Sequence, residues 1–207
     1  MKLPAPAKVN LHLRILGRRS DGFHDLETLM VPVSLADEIS VERTTSGDIT
    51  MTCDDPAVPD GEDNLVVRAV REFSRFTGQE CSVRIGIEKR IPMGAGLGGG
   101  SSDAAATLQG LDAVYGSELG TATLRELAAR LGSDVPFFIN RQPAWCRGRG
   151  EIIEPVSVPE SLSLLLIKPP FGVGTPWAYQ NWSASGPEPE VQDLGWAKLL
   201  NSLEPPV

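Results

Sequence analysis

Residues 92–106 read Pro92-Met-Gly-Ala-Gly-Leu-Gly-Gly-Gly-Ser-Ser-Asp-Ala-Ala-Ala106, and what flanks them decides how the chain is built. Just before them Cys81, Val83, Ile85 and Ile87 alternate with other residues, the period of a half-buried strand. Just after them Ala104, Ala105, Leu108 and Leu111 fall at helical spacing, so Ser101-Ser102-Asp103 is expected to open a long helix. A strand therefore feeds a glycine-rich loop, and the loop feeds a helix. Successive backbone N–H groups in such a loop converge on an anion at the positive end of the helix dipole. Glycine suits the task because a Cβ would hold phosphate oxygens off the backbone. Pro92, Met93, Gly94, Ala95, Gly96, Leu97, Gly98, Gly99, Gly100, Ser101 and Ser102 are thus candidate phosphate-binding residues, the two serines also being candidate helix caps. The plainer reading is a flexible linker or tight turn. No Gly-Lys-Ser/Thr follows, which excludes a Walker-type P-loop. Gly94, Gly96 and Gly99 satisfy GxGxxG, but Asp112 and Glu118 flank a helix end, where a dinucleotide fold needs an acidic residue at a strand end.

Working outward, Val9, Leu11, Leu13 and Ile15 alternate with Lys8, Asn10, His12 and Arg14, which predicts a strand with Lys8 and Asn10 on its polar face. A polar turn spans Gly17 to Gly22. Short strands are expected at Leu29–Val33, Glu38–Arg43 and Asp48–Cys53, followed by an acidic loop from Asp54 to Asp63. Asp63 is positioned to cap a helix carrying Leu65, Val66, Ala69, Val70 and Phe73. A further helix carries Leu124 to Leu131 and stops at Gly132, and a short one begins near Asp134. Strands near Trp145 and at Leu162–Ile167 complete the regular part. Pro169 to Pro176 reads as a loop, Ser183 to Glu190 is rich in Pro, Ser and Glu, and a modest helix is expected at Leu194–Leu203. The mixed order, with early hairpins, is α+β. Taken alone, Lys8 reads as a solvated lysine, Asp134 as a helix cap and His24 as a surface-loop residue.

The chain has 207 residues, 41% hydrophobic and 22% charged, enough to bury a core without disulfides or metals. Its 21 glycines and 17 prolines are a share well above the usual ~12%, the mark of a turn-rich chain. A net charge of −8 argues against general nucleic-acid binding and against docking on anionic membranes. Cys53, Cys81 and Cys146 are far apart and odd in number, indicating neither a zinc site nor a disulfide framework. The longest apolar run is strand-sized, and the N-terminus does not resemble a signal peptide. A cytoplasmic protein is expected, as a monomer or weak homodimer.

Lys8, Asp21-Gly22-Phe23-His24, the 92–106 loop and Gly132-Ser-Asp134-Val-Pro136 together resemble the GHMP small-molecule kinases. Within that superfamily the similarity is to the branch that phosphorylates a cytidine diphosphate-linked alcohol in the non-mevalonate route to isoprenoid precursors. It extends through Pro6-Ala-Lys-Val-Asn-Leu11, Glu62-Asp63-Asn64-Leu65-Val66, Gly148-Arg149-Gly150-Glu151 and Thr175-Pro176.

The resemblance implies a GHMP kinase fold. Residues 1–160 would be an N-terminal, ATP-binding domain of the ribosomal protein S5 domain 2 type. Residues 161–207 would begin a ferredoxin-like C-terminal domain that the chain does not complete, leaving out the family's third glycine-rich motif. It further implies ATP and Mg²⁺, with no metal ligand singled out, and transfer of phosphate to the substrate's 2-hydroxyl. Asp134 would accept the hydroxyl proton and Lys8 would hold the aspartate ionised. Residues 94–102 would wrap the ATP phosphates, and Asn64 and Lys89 match positions contacting adenosine. Asn10, Phe23, His24 and Thr175 match the substrate side. Phe23 stands where the family usually has tyrosine, which keeps stacking on cytosine and loses a hydroxyl contact. The competing readings are a catalytically inactive nucleotide-binding fragment and a nicotinamide-dependent oxidoreductase.

Overall fold

The computed structural model describes residues 1–159, 162–182, 192–193 and 198–203. Among them the elements are, in chain order, β1 (Lys2–Arg18), β2 (His24–Arg43), β3 (Ile49–Cys53), α1 (Leu65–Thr77), β4 (Val83–Glu88), α2 (Gly99–Tyr115), α3 (Gly120–Leu131), α4 (Val135–Asn140), β5 (Ala144–Gly148), β6 (Ile152–Pro155), α5 (Thr175–Asn181), β7 (Gln192–Asp193) and β8 (Lys198–Asn201). This is the α+β class expected. The residues gather into two compact units: Met1–Ala7, Val33–Ile91 and Gly98–Arg141 form the first, and Lys8–Pro32, Pro92–Leu97 and Gln142–Val207 the second. The long strands β1 and β2 contribute to both.

In the first unit β4 lies between β3, which it pairs in parallel, and the second half of β2, which it pairs antiparallel from Glu38↔Glu88 to Arg43↔Val83. Val83, Ile85 and Ile87 of β4 and Ile39 and Val41 of β2 are buried, the period-2 pattern read from the sequence. The helices pack around α2, which touches α1, α3 and α4. Their core includes Phe73, Leu108, Leu111, Leu127, Phe137 and Phe138. Glycine at 110 lets α2 approach the sheet: a Cβ there would lie 2.6 Å from Val41 Cγ2 and 3.1 Å from Leu3 Cδ1. The cap of α1 is Asn64, not Asp63; its Oδ1 accepts from the Val66 N–H at 2.8 Å. An uncharged amide serves as well as a carboxylate in that position. Helix α1 ends at Gly78 in the left-handed conformation.

The second unit is built on the remaining parts of β1 and β2. β5 pairs antiparallel with β2, from Leu26↔Gly148 to Met30↔Ala144, and forms a hairpin with β6. β8 runs parallel to β1, with His12↔Leu200, and β7 pairs with β8. Leu11, Leu29 and Val31 make its core, with Val9, Trp145, Val156, Val158 and Leu162 packed against them.

Several expectations change. The strands at 29–33 and 38–43 are one strand, β2. Pro32, which reads as punctuation, sits outside both the β5 and β4 ladders, so its missing N–H interrupts neither. Residues 162–167 carry no strand, and Leu165 and Ile167 are 86% and 82% exposed. An apolar run alone does not supply the ladder partner that makes a strand. The return strand β6 was missed beside it. The expected loop 169–176 ends at Gly174, where α5 begins with Pro176 in its first turn. Where a helix was expected at 194–203, residues 198–201 form β8. Pairing with β1 and the 2.8 Å bond from Ser202 N–H to the Leu13 carbonyl override the local leucine spacing. Residues 194–197 and Ser183–Glu190 lie outside the described residues. No helix among the described residues is long and apolar enough to cross a membrane.

Candidate functional site

The glycine-rich segment takes the conformation that its composition requires. Gly94, Gly96 and Gly98 have φ of +64°, +70° and +72°, so every second residue is left-handed, a backbone that directs successive N–H groups into one concavity. Helix α2 starts at Gly99 with Gly98 as its cap, and no side chain caps it. Ser101 and Ser102 therefore lie within the first turn and are not caps, because left-handed Gly98 already ends the loop. The Ser102 hydroxyl is buried and has no hydrogen-bond partner among the described residues. An orphaned donor beside a helix N-terminus and a run of left-handed glycines is a set that fits an anion.

In the second unit the loop is fastened to β1. The Lys8 N–H donates to the Leu97 carbonyl at 2.9 Å. Lys8 is 7% exposed, so the polar face of this strand is not solvated there. Its ammonium donates to Asn10 Oδ1 at 2.5 Å, Asn10 Nδ2 donates to Thr28 Oγ1 at 2.6 Å, and Thr28 donates to the His12 carbonyl at 2.6 Å. This relay fixes the Asn10 amide with its oxygen toward Lys8. Thr28 carried no signal in the sequence. Gly94 is also approached by Gly172, where an added Cβ would lie 3.3 Å from the Gly94 carbonyl oxygen.

The same unit collects aromatic groups around His24. Its ring lies 5.5 Å from that of Tyr179 and 5.6 Å from that of Trp182. Burial, with the Arg18 charge, holds the His24 pKa below the ordinary histidine value, which favours a neutral imidazole able both to donate and to accept. Phe23 is exposed, and the Arg149 guanidinium sits 4.7 Å from its ring centroid. Tyr179 and Trp182 come from α5 and its end, residues to which the sequence reading assigns no element; the Trp-Ala-Tyr-Gln-Asn-Trp spacing was the available signal. Thr175 is exposed at the first position of α5.

In the first unit Asp134 precedes α4 and is half-buried, and its carboxylate does not cap the helix. Both adenosine-side candidates make internal bonds. The Asn64 amide caps α1 and donates to the Pro59 carbonyl at 2.7 Å. The Lys89 ammonium reaches Asp37 Oδ2 at 2.5 Å and Asp103 Oδ2 at 2.9 Å. Elsewhere in this unit an open depression of about 340 Å³ is lined by Glu38, Asp54 and Glu88 among others; three carboxylates make it a poor phosphate site. Among the described residues Cys53, Cys81 and Cys146 are not joined in a disulfide. Among the described residues no group of three or more His, Cys, Asp or Glu is arranged to hold a metal ion.

Comparison with known proteins agrees with this geometry. Residues 64–142, which hold the loop, α2 and Asp134, match the family of GHMP kinases N terminal domain. The chain is 50% identical over 181 residues to the 4-diphosphocytidyl-2-C-methyl-D-erythritol kinase of Synechococcus sp. (strain CC9605), covering 85% of this chain and 58% of that protein. It is 41% identical over 213 residues to the same-named kinase of Geobacter sp. (strain M21), covering 99% of this chain and 76% of that one. It thus spans 58% and 60% of the length of two Synechococcus relatives. A crystal structure of 4-(cytidine 5'-diphospho)-2C-methyl-D-erythritol kinase superposes with a TM-score of 0.79 at 39% identity, over 100% of this chain and 76% of that chain. Methanococcus jannaschii mevalonate kinase, at 16% identity and a TM-score of 0.60 over 76% of this chain and 56% of that one, shares the fold. The left-handed glycine loop, the buried lysine fastened beside it and the extent of these similarities lead to one assignment: the chain belongs to the 4-diphosphocytidyl-2-C-methyl-D-erythritol kinase family of the GHMP kinases.

Proposed function

We propose that this chain transfers the terminal phosphoryl group of ATP to the 2-hydroxyl of 4-diphosphocytidyl-2-C-methyl-D-erythritol, within isoprenoid precursor biosynthesis in the cytoplasm. The observation that carries the proposal is the alternating left-handed turn 94–98 bonded to the backbone of Lys8. Residues 94–102 cradle the phosphates through backbone N–H groups and the Ser102 hydroxyl, with Pro92 and Met93 leading into that cofactor-binding stretch. When bound, Mg-ATP supplies the phosphoryl group and neutralises part of its charge. Mg²⁺ ordinarily keeps several waters and needs only one or two protein carboxylates beside substrate phosphates.

The remaining work is positioning and proton movement. Asp134 takes the proton from the 2-hydroxyl as the oxygen–phosphorus bond forms and the bond to the ADP oxygen breaks, a role that needs an ionised carboxylate not committed to a helix cap. Lys8 steadies charge on the attacking oxygen. Asn10, oriented by Thr28, faces the reacting alcohol. His24 hydrogen-bonds the cytosine edge, Phe23 stacks on the base, and Thr175 completes the substrate side. Asn64 and Lys89 stand on the adenosine side, where their internally bonded head groups leave backbone atoms for contact. The test is a competition among alcohol acceptors. With Mg-ATP, the cytidine-linked methylerythritol should be phosphorylated at least a hundredfold faster, in kcat/KM, than mevalonate or homoserine. A preference for either of those alcohols would refute the substrate assignment.

A further inference from the structure

The glycine-rich segment leaves the first unit at Ile91 and returns to it at Gly98, and both ends are tied to one buried group of charges. Asp37 Oδ1 accepts from the N–H groups of Arg90 and Ile91 at 2.5 and 2.8 Å. Its Oδ2 accepts from the Lys89 ammonium, which also reaches Asp103 Oδ2 in the opening turns of α2. The three side chains are 0%, 7% and 5% exposed. The ammonium packs on the first residue of α2 as well, since a Cβ on Gly99 would lie 3.3 Å from Nζ. Two carboxylates share one ammonium out of water, and Asp103 Oδ1 is buried with no partner among the described residues. Such an arrangement works against stability, and the transfer reaction uses none of the three groups for proton transfer. Its geometric effect is specific: the chain entering the loop and the helix leaving it are bolted to each other through Lys89.

We propose that Asp37, Lys89 and Asp103 form a strut that sets the shape of the phosphate loop, with Asp103 the positioning residue through which the end of β4 holds the first turn of α2. The proposal rests on the reading of residues 92–102 as the ATP-phosphate site. It gives the Lys89 side chain an effect on nucleotide binding that acts through the loop, and so falls on the phosphates, while contact with adenosine is left to the backbone of that residue.

Asp103→Ala removes the strut and leaves Lys89 with Asp37 as a neutral pair, so no buried cation is stranded. Asp103→Asn keeps an oxygen for Lys89 to reach. In the 207-residue chain, calorimetry would measure affinities for Mg-ATP and for adenosine, and hydrogen exchange would follow the amides of residues 99–103 without ligand. Asp103→Ala should weaken Mg-ATP at least tenfold, leave adenosine within twofold and speed exchange at least tenfold; Asp103→Asn should restore all three to within threefold of wild type. Should Asp103→Ala not fold, Lys89→Met combined with Asp103→Asn breaks the same strut and should give the same losses. Unchanged exchange in a folded variant would overturn the strut itself. Equal losses of adenosine and Mg-ATP affinity would overturn it in favour of direct contact by the Lys89 side chain. Failure of the wild-type chain to bind Mg-ATP, with exchange responding as expected, would instead overturn the phosphate-site reading.

Discussion

The carboxyl of Asp103 is pushed up to about 7, by burial first, with the charge and hydrogen bond of Lys89 working against that shift. Lys89 is itself raised: burial acts to lower it, and the charge of Asp103 with the hydrogen bonds that the ammonium donates to both carboxylates outweighs burial. For Asp103 the folded value lies above the ordinary 3.8. Its stabilising contribution is therefore complete at pH below about 4 and is lost as the pH rises through about 7. Asp103→Asn, which imitates the protonated form, should gain stability relative to wild type on going from pH 5 to pH 8, read from denaturant midpoints at the two pH values. A difference that stays constant across that range would contradict the assignment. Sequence did not reveal this group. Asp37 lies in Leu35-Ala36-Asp37-Glu38, where nothing local marks a buried carboxylate, and its partners are 52 to 54 positions away. Lys8 was legible by contrast, since strand alternation put it beside Asn10 on one face; its burial was not, because that depends on what covers the face.

The β4–loop–α2 passage was the most legible part of the fold, because strand period, glycine run and helix period follow one another without interruption. What escaped was its fine placement. Helix α2 begins at Gly99, two residues before the first serine, since a left-handed glycine terminates the loop more effectively than a hydroxyl does. The small residues of α2 have a second use that the sequence only hints at: at Gly110 the helix backbone rests on Val41 and Leu3. Gly110→Val should therefore cost about 1–3 kcal/mol of unfolding free energy through overpacking, measurable by urea denaturation at pH 7. An unchanged midpoint would show that α2 has room to shift. Elements that depend on distant pairing were the ones misread. β8 exists because β1 offers it a parallel partner, and residues 162–167 are not a strand because none is offered among the described residues. Helix periodicity and apolar runs carry no information about either.

At the scale of the molecule, the residues proposed for the chemistry are divided: Asp37, Lys89, Asp103, α2 and Asp134 lie in the first unit, and Lys8, Asn10, Phe23 and His24 in the second. The family was readable from the glycine-serine loop taken together with short matching segments spread along the chain. Neither composition nor charge would have given it, as a net charge of −8 says nothing about a local phosphate cradle. The role proposed for Asp134 is what would turn a nucleotide-binding surface into a kinase. The direct test is ADP release by the 207-residue chain with Mg-ATP, with and without 4-diphosphocytidyl-2-C-methyl-D-erythritol, for wild type and for Asp134→Asn. ADP release that requires the cytidine-linked alcohol, and that falls by about 10²–10⁴ in Asp134→Asn while Mg-ATP affinity stays within twofold, is the result expected. Undiminished turnover in Asp134→Asn, or release of ADP at the same rate without the alcohol, would contradict the account.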